Sequence, residues 1–301
     1  MAGALAVAAV SFASSASAFC RTATGGLQDG CTVTSDECCT LGLPLYWKNA
    51  CISYDIQQDA SKQVSYDDAA SAISIAFTKW TGATCGTDGS GQSRASIDVR
   101  DFGPVECDQV QYNKDSPNQH VIMFDDAKWP HNDSNNTLAL TTVTYDSTTG
   151  EIFDADMEIN TAQQTLSVHD PIPADGYDLA SIVTHETGHF LGMAHSGDAR
   201  ATMYAHYRQG ATSMRDLTQD DIAGICSIYP PDGTRVVGDG GTVAEDACDA
   251  TPRHGFQSAC NTPKSGCGVT RVAPSKGEGL LALGLCLGAA SLVIVRRRRR
   301  L

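Results

Sequence analysis

The sequence predicts an α+β domain. About five alternating or wholly apolar runs suit strands, three stretches with helical periodicity suit helices, and most of the strands fall between the first two helices. At 301 residues the chain can bury a core large enough to stand without staples.

The elements follow in order. Cys51–Ile56 alternates Ile52, Tyr54 and Ile56, the pattern of a strand with one buried face. Ser65 through Trp80 reads as a helix. Ser65 can cap it with Asp68 as capping-box partner, Ala69, Ile73, Ala76, Phe77 and Trp80 recur at helical spacing, and Gly82 follows the end. Strands are expected at Ser96–Arg100, Val121–Phe124, Thr137–Tyr145 and Glu151–Ile159, the last two joined by the turn-forming Asp146-Ser147-Thr148-Thr149-Gly150. A second helix runs from Asp178 to Leu191 with Gly192 at its end. A third starts at Thr218, with Asp221 as box partner, and runs toward Ile228 before Pro230-Pro231.

Charge narrows the function. The chain carries 35 acidic against 21 basic residues, for a net charge of −14, and five of the basic residues are the terminal run Arg296–Arg300. An acidic body does not hold a phosphate backbone, so nucleic acid is excluded as a partner. Twelve cysteines without a C-x-x-C pair fit disulfides in an oxidising compartment. Residues 1–18 are uncharged and end in Ala16-Ser17-Ala18, which predicts a secretion signal cut before Phe19. Residues 19–43 form a cysteine-rich segment, 44–230 the domain, and 231–278 a Gly/Pro-rich stalk in which Cys248 and Cys260 pin a loop. Ten cysteines remain once Cys267 and Cys286 in the tail are set aside, enough for five disulfides of undetermined pairing. Residues 279–301 join the apolar Gly279–Val295 to the arginines. At about 1.5 Å per residue this run is near the lower limit for a membrane span, and the arginines would stay cytoplasmic. With Cys267 in Ser265-Gly266-Cys267-Gly268, the arrangement resembles the MYXO-CTERM type of bacterial surface-sorting tail, which implies a chain secreted to, or anchored on, a bacterial envelope. The tail is then its sole membrane contact.

The chemistry lies in His185-Glu186-Thr187-Gly188-His189-Phe190-Leu191-Gly192-Met193-Ala194-His195. Positions four apart share a helix face, so His185 and His189 can present imidazoles to one ion. Glu186 turns about 100° away around the axis and is left to act on water. Gly192 lets the chain leave the helix and double back, and His195 supplies a third nitrogen. Three protein ligands with one open position describe a catalytic zinc, whereas a structural zinc is closed by four. Five fixed residues at this spacing would arise by chance in about one chain of this length in 10,000.

This motif, with the segment around Met203, resembles that of the metzincin metallopeptidases, and most closely the matrixin branch. Thr202-Met203-Tyr204-Ala205-His206-Tyr207 is similar to the family's Met-turn, Leu217–Ile225 to its last helix, and Ala76-Phe77-x-x-Trp80 to its first. The resemblance implies a metzincin-type catalytic domain with a twisted, mostly parallel five-stranded sheet, an active-site helix and a small C-terminal subdomain. It implies a monomeric zinc endopeptidase acting on protein or peptide substrates, with one catalytic zinc on His185, His189 and His195 and Glu186 as general base. By the same resemblance Met203 forms the floor under the zinc, Tyr207 lines the pocket for the residue after the scissile bond, and Leu138 and Ala139 offer backbone groups to an extended substrate. Asp154 and Asp156 match acidic, calcium-type positions, for which a solvated acidic face is the alternative. Leu140 and Ile152 stand where the family carries histidines of a second zinc, so no such site is expected. The N-terminal segment lacks a Pro-Arg-Cys-Gly latency motif. A silent binding module on this fold would be marked by loss of Glu186 or a histidine, and neither is lost. A zinc hydrolase of a non-protein amide is the other alternative, opposed by the Met-turn and pocket segment.

Overall fold

A computed structural model of the chain describes residues 18–25, 38–87 and 92–260, and a two-residue strand at Val293–Ile294. The expected signal peptide lies outside the described residues up to position 17, as does nearly all of the tail with Cys267 and Cys286. No helix among the described residues is long and apolar enough to cross a membrane.

Five strands form the main sheet: β1 (Cys51–Gln57), β2 (Asp98–Val105), β3 (Val121–Phe124), β4 (Ala139–Tyr145) and β5 (Ile152–Ile159). Their order is β4-β5-β3-β1-β2. All pairings are parallel except the β4–β5 hairpin, so the sheet is mostly parallel as expected. Val293–Ile294 pairs antiparallel with Val143 and Thr142 on the outer side of β4. The second strand runs Asp98–Val105 rather than Ser96–Arg100, and an unforeseen hairpin, Thr84–Thr87 with Gln92–Arg94, precedes it.

Helix α1 (Tyr66–Thr81) begins as its sequence dictates. The Ser65 hydroxyl accepts from Asp68 N–H, and Asp67 and Asp68 complement the positive end of the helix dipole. The five residues expected to face inward, Ala69, Ile73, Ala76, Phe77 and Trp80, are its buried set. They pack with Ile52, Tyr54 and Ile56 of β1, Ile122 and Phe124 of β3, Ala155, Met157 and Ile159 of β5, and the second helix. Phe77 stacks on Tyr54 at 4.5 Å and meets Phe190 edge-on at 5.2 Å.

The opposite face of the sheet departs from the simple alternation. Ser53, Asp55, Asp154, Asp156 and Glu158 point there and are buried, not solvated. Asp156 accepts from the N–H groups of Val121 and Gln111 at 2.8 and 3.0 Å, which holds the 106–120 segment onto the sheet. Its oxygens are therefore committed, and no group of three acidic or histidine ligands forms at Asp154 and Asp156 among the described residues. Burial raises the pKa of both carboxyls, with contact from Asp156 adding to the rise at Asp154 and the charge of Glu158 adding to that at Asp156. A carboxyl raised in this way stabilises the fold fully below the unfolded value near 4, and that contribution is lost as pH rises through the folded value. Thermal melts at pH 5 and pH 8 should therefore show a smaller loss of stability with rising pH in Asp154→Asn than in the wild type. An equal loss in both would remove the pair from the pH dependence.

The described part of the expected stalk, 232–260, is a strap fastened to this polar face. Arg235 is fully buried and donates to the carbonyls of Trp47, Asn49 and Ser96, and it pairs with Glu245 at 3.2 Å. Cys248 is bonded to Cys51 and Cys260 to Cys107, so the two do not close a loop with each other. The strap is held by backbone bonds and disulfides, and that is why it carries no apolar periodicity. Cys20–Cys38 and Cys85–Cys226 are further disulfides, the latter joining the unforeseen hairpin to the third helix.

Candidate active site

Helix α2 (Leu179–Phe190) crosses the core, with almost every residue buried. Asp178 caps it through Ser181 N–H, and the same carboxylate holds the Arg215 guanidinium at 2.8 and 2.9 Å. Trp80 Nε1–H donates to Thr184 O at 2.8 Å, fixing the helix against α1 one residue before His185.

His185 and His189 lie on one face, with Nε2 atoms 3.2 Å apart. After Leu191 the chain turns at Gly192, whose φ of +96° a side chain with a Cβ would strain. It returns with His195, whose ring centre lies 5.3 Å from that of His185 and 4.9 Å from that of His189. The ligand atoms of all three lie within 4.8 Å of one another, and all three residues are buried. The orientation is set from behind. His185 Nδ1–H donates to Thr202 O at 2.7 Å and His189 Nδ1–H to Met193 O at 2.9 Å. That leaves the Nε2 lone pairs of His185 and His189 turned inward, the arrangement of a metal-ligating imidazole.

Met203 is fully buried beneath the helix, against Gly188. Helix α3 (Gln219–Ile228) holds this turn, because the Asp221 carboxylate accepts from Thr202 N–H and Met203 N–H while capping its own helix through Thr218. The sequence marked Asp221 as a capping partner alone, and its hold on the Met-turn comes from a contact 18 or 19 residues away.

A profile of the matrixin family matches residues 46–230. The chain belongs to the matrixin family. It is 42% identical to Metalloendoproteinase 1-MMP of Arabidopsis thaliana over 82 residues, which is 27% of this chain and 22% of that protein. It is 51% identical to human neutrophil collagenase over 53 residues (18% and 11%) and 46% identical to human matrilysin over 54 residues (18% and 20%). These stretches span between 11% and 22% of the relatives they match. The family match ends at 230, whereas the folded body of this matrixin continues through the strap.

The remaining site residues of this matrixin sit as follows. Glu186 is buried, and Thr141 of β4 donates its hydroxyl to Glu186 Oε2 at 2.9 Å. No local spacing announces that pairing. Tyr207 is buried beside Tyr177, its hydroxyl donating to Ala211 O, and burial pushes its pKa up to about 12. Leu138 O already accepts from Asn160 N–H at 2.9 Å, and Ala139 opens strand β4, ahead of the Thr142 and Val143 positions paired with Val293–Ile294. Asp220, one residue before Asp221, accepts from Ala18 and Phe19 N–H at 2.7 and 3.0 Å, and its other oxygen accepts from the hydroxyl of Ser196, the neighbour of His195.

Gly188 offers a test of the floor. A Cβ there would stand 2.2 Å from Met203 Sδ and 2.8 Å from Trp80 Cζ2. Gly188→Ala should cost about 1–3 kcal/mol of stability and lower the affinity for zinc, read by melting and by equilibrium dialysis. Unchanged values for both would mean the floor yields freely.

Proposed function

We propose that this matrixin is a zinc endopeptidase, secreted or held at a bacterial envelope by its C-terminal tail, that acts as a single chain on extended protein or peptide substrates. The observation that carries the reading is the convergence of three buried imidazoles next to a buried carboxylate. The donor set fits zinc: three nitrogen ligands, two of them with the second ring nitrogen bonded to a backbone carbonyl. Zinc held by His185, His189 and His195 would supply Lewis-acid polarisation of the scissile carbonyl and a lowered pKa for water.

The chain's own residues do the rest. Glu186 takes a proton from the attacking water at the oxygen that Thr141 leaves free, and returns it to the leaving amine. A peptide adds to the edge of β4 near Ala139, with Leu138 contributing less because its carbonyl is already bonded, and Tyr207 borders the pocket for the next side chain. Asp154 and Asp156 act as structural carboxyls in this reading. Export with cleavage before Phe19 would turn its N–H into an ammonium on the Asp220 carboxylate, behind the His195 loop. The disulfides among the described residues support an oxidising compartment.

The test is mass spectrometry of an unfolded protein incubated with the full chain. New amino termini that vanish when a zinc chelator is present are expected. Products without new amino termini would move the reading to another amide.

A further inference from the structure

We infer that Thr141 is a positioning residue for the general base, an inference that rests on the reading of Glu186 given above. Strand β4 turns Ala139, Thr141 and Val143 to the helix side of the sheet. Ala139 and Val143 pack in the apolar core, as does Met157, the cross-strand partner of Thr141. A hydroxyl is thus buried on an otherwise apolar face, where it loses its hydration unless a partner replaces water. The partner is Glu186, with Thr141 Oγ1 2.9 Å from Oε2 and a longer 3.3 Å approach to the Glu186 carbonyl.

A carboxylate on a helix has two side-chain torsions and a terminal rotation to settle. Ordered by one donor, it keeps Oε2 toward the sheet and leaves Oε1 as the oxygen that meets water. This bond fixes the base before substrate arrives. The donor also sits on the strand to whose edge the peptide adds, two residues beyond Ala139. The strand that would align the scissile bond therefore also aims the base. Position errors of this kind act on the chemical step and leave substrate affinity alone.

The test compares the full chain with Thr141→Val, Thr141→Ser, Thr141→Ala and Glu186→Ala at matched zinc content, using one quenched-fluorescence peptide. Thr141→Val should lose about tenfold in kcat with KM unchanged, Thr141→Ala should follow it, and Thr141→Ser should return to near wild type. Melting of the metal-free proteins gives a second reading. Thr141→Val should lower the melting temperature in the wild-type background, where it strips a buried carboxylate of its donor, and should not lower it in the Glu186→Ala background. A kcat for Thr141→Val and Thr141→Ala within twofold of wild type would overturn the inference, as would a loss confined to KM or equal melting shifts in both backgrounds. If Glu186→Ala itself turns over normally, the reading of the base has failed instead, and that outcome is seen independently of the Thr141 variants.

Discussion

Glu186→Gln should lose about 10²–10⁴-fold in kcat while still binding one zinc per chain. Glutamine keeps the shape and can still accept from the Thr141 hydroxyl through its amide oxygen, so packing at the helix changes little. It cannot accept a proton from water. Glu186 is not among the three converging histidines, so removing its charge leaves their nitrogens and the carbonyls behind them in place. Steady-state kinetics beside zinc analysis checks this. Loss of zinc along with activity would mean that Glu186 holds the site together and would leave its catalytic role without support.

The second large effect concerns the strap. A chain ended after Pro231 retains every residue matched to the matrixin family and loses Arg235, Cys248 and Cys260. Cys51–Cys248 and Cys107–Cys260 close stretches of 197 and 153 residues. On a chain-entropy basis each such link contributes up to about 5 kcal/mol. Removal also leaves the carbonyls of Trp47, Asn49 and Ser96 without the buried guanidinium and unties Cys107, in the segment that covers Asp156. The sum rivals the whole stability of a typical domain, about 5–15 kcal/mol. The shortened chain should give no cooperative melt, and Cys51→Ser with Cys248→Ser should melt about 10 °C below the wild type. Melting of the shortened chain within a few degrees of the full one would make the strap an ornament.

The parts legible in the sequence are those fixed by local period or by a short motif. The inward face of α1, its Ser65 cap, the three histidines and the turn at Gly192 all follow from spacings of a few residues. The strand interiors were legible for the same reason. What escaped depends on contacts between distant segments. Thr141 reads as an ordinary strand residue until α2, 45 residues on, brings Glu186 to it. Asp154 and Asp156 read as a solvated or calcium-type acidic face, because nothing within β5 announces that the 106–120 segment covers them. The strap reads as a stalk since its hold on the domain comes from a buried arginine and two disulfides, neither of which has a period. Cysteine count indicated five disulfides but left the pairing open, and it was the pairing that turned a stalk into part of the domain.

If one zinc on His185, His189 and His195 makes this chain a peptidase, activity must follow bound zinc. Metal-free full chain, with its tail and strap intact, is titrated with zinc while bound metal and cleavage of an unfolded protein are followed together. The expected result is cleavage that rises in proportion to bound zinc and levels off at one zinc per chain, with His195→Asn showing neither tight binding nor cleavage. One zinc bound with no cleavage at any ratio, or cleavage already complete in the metal-free protein, would contradict it.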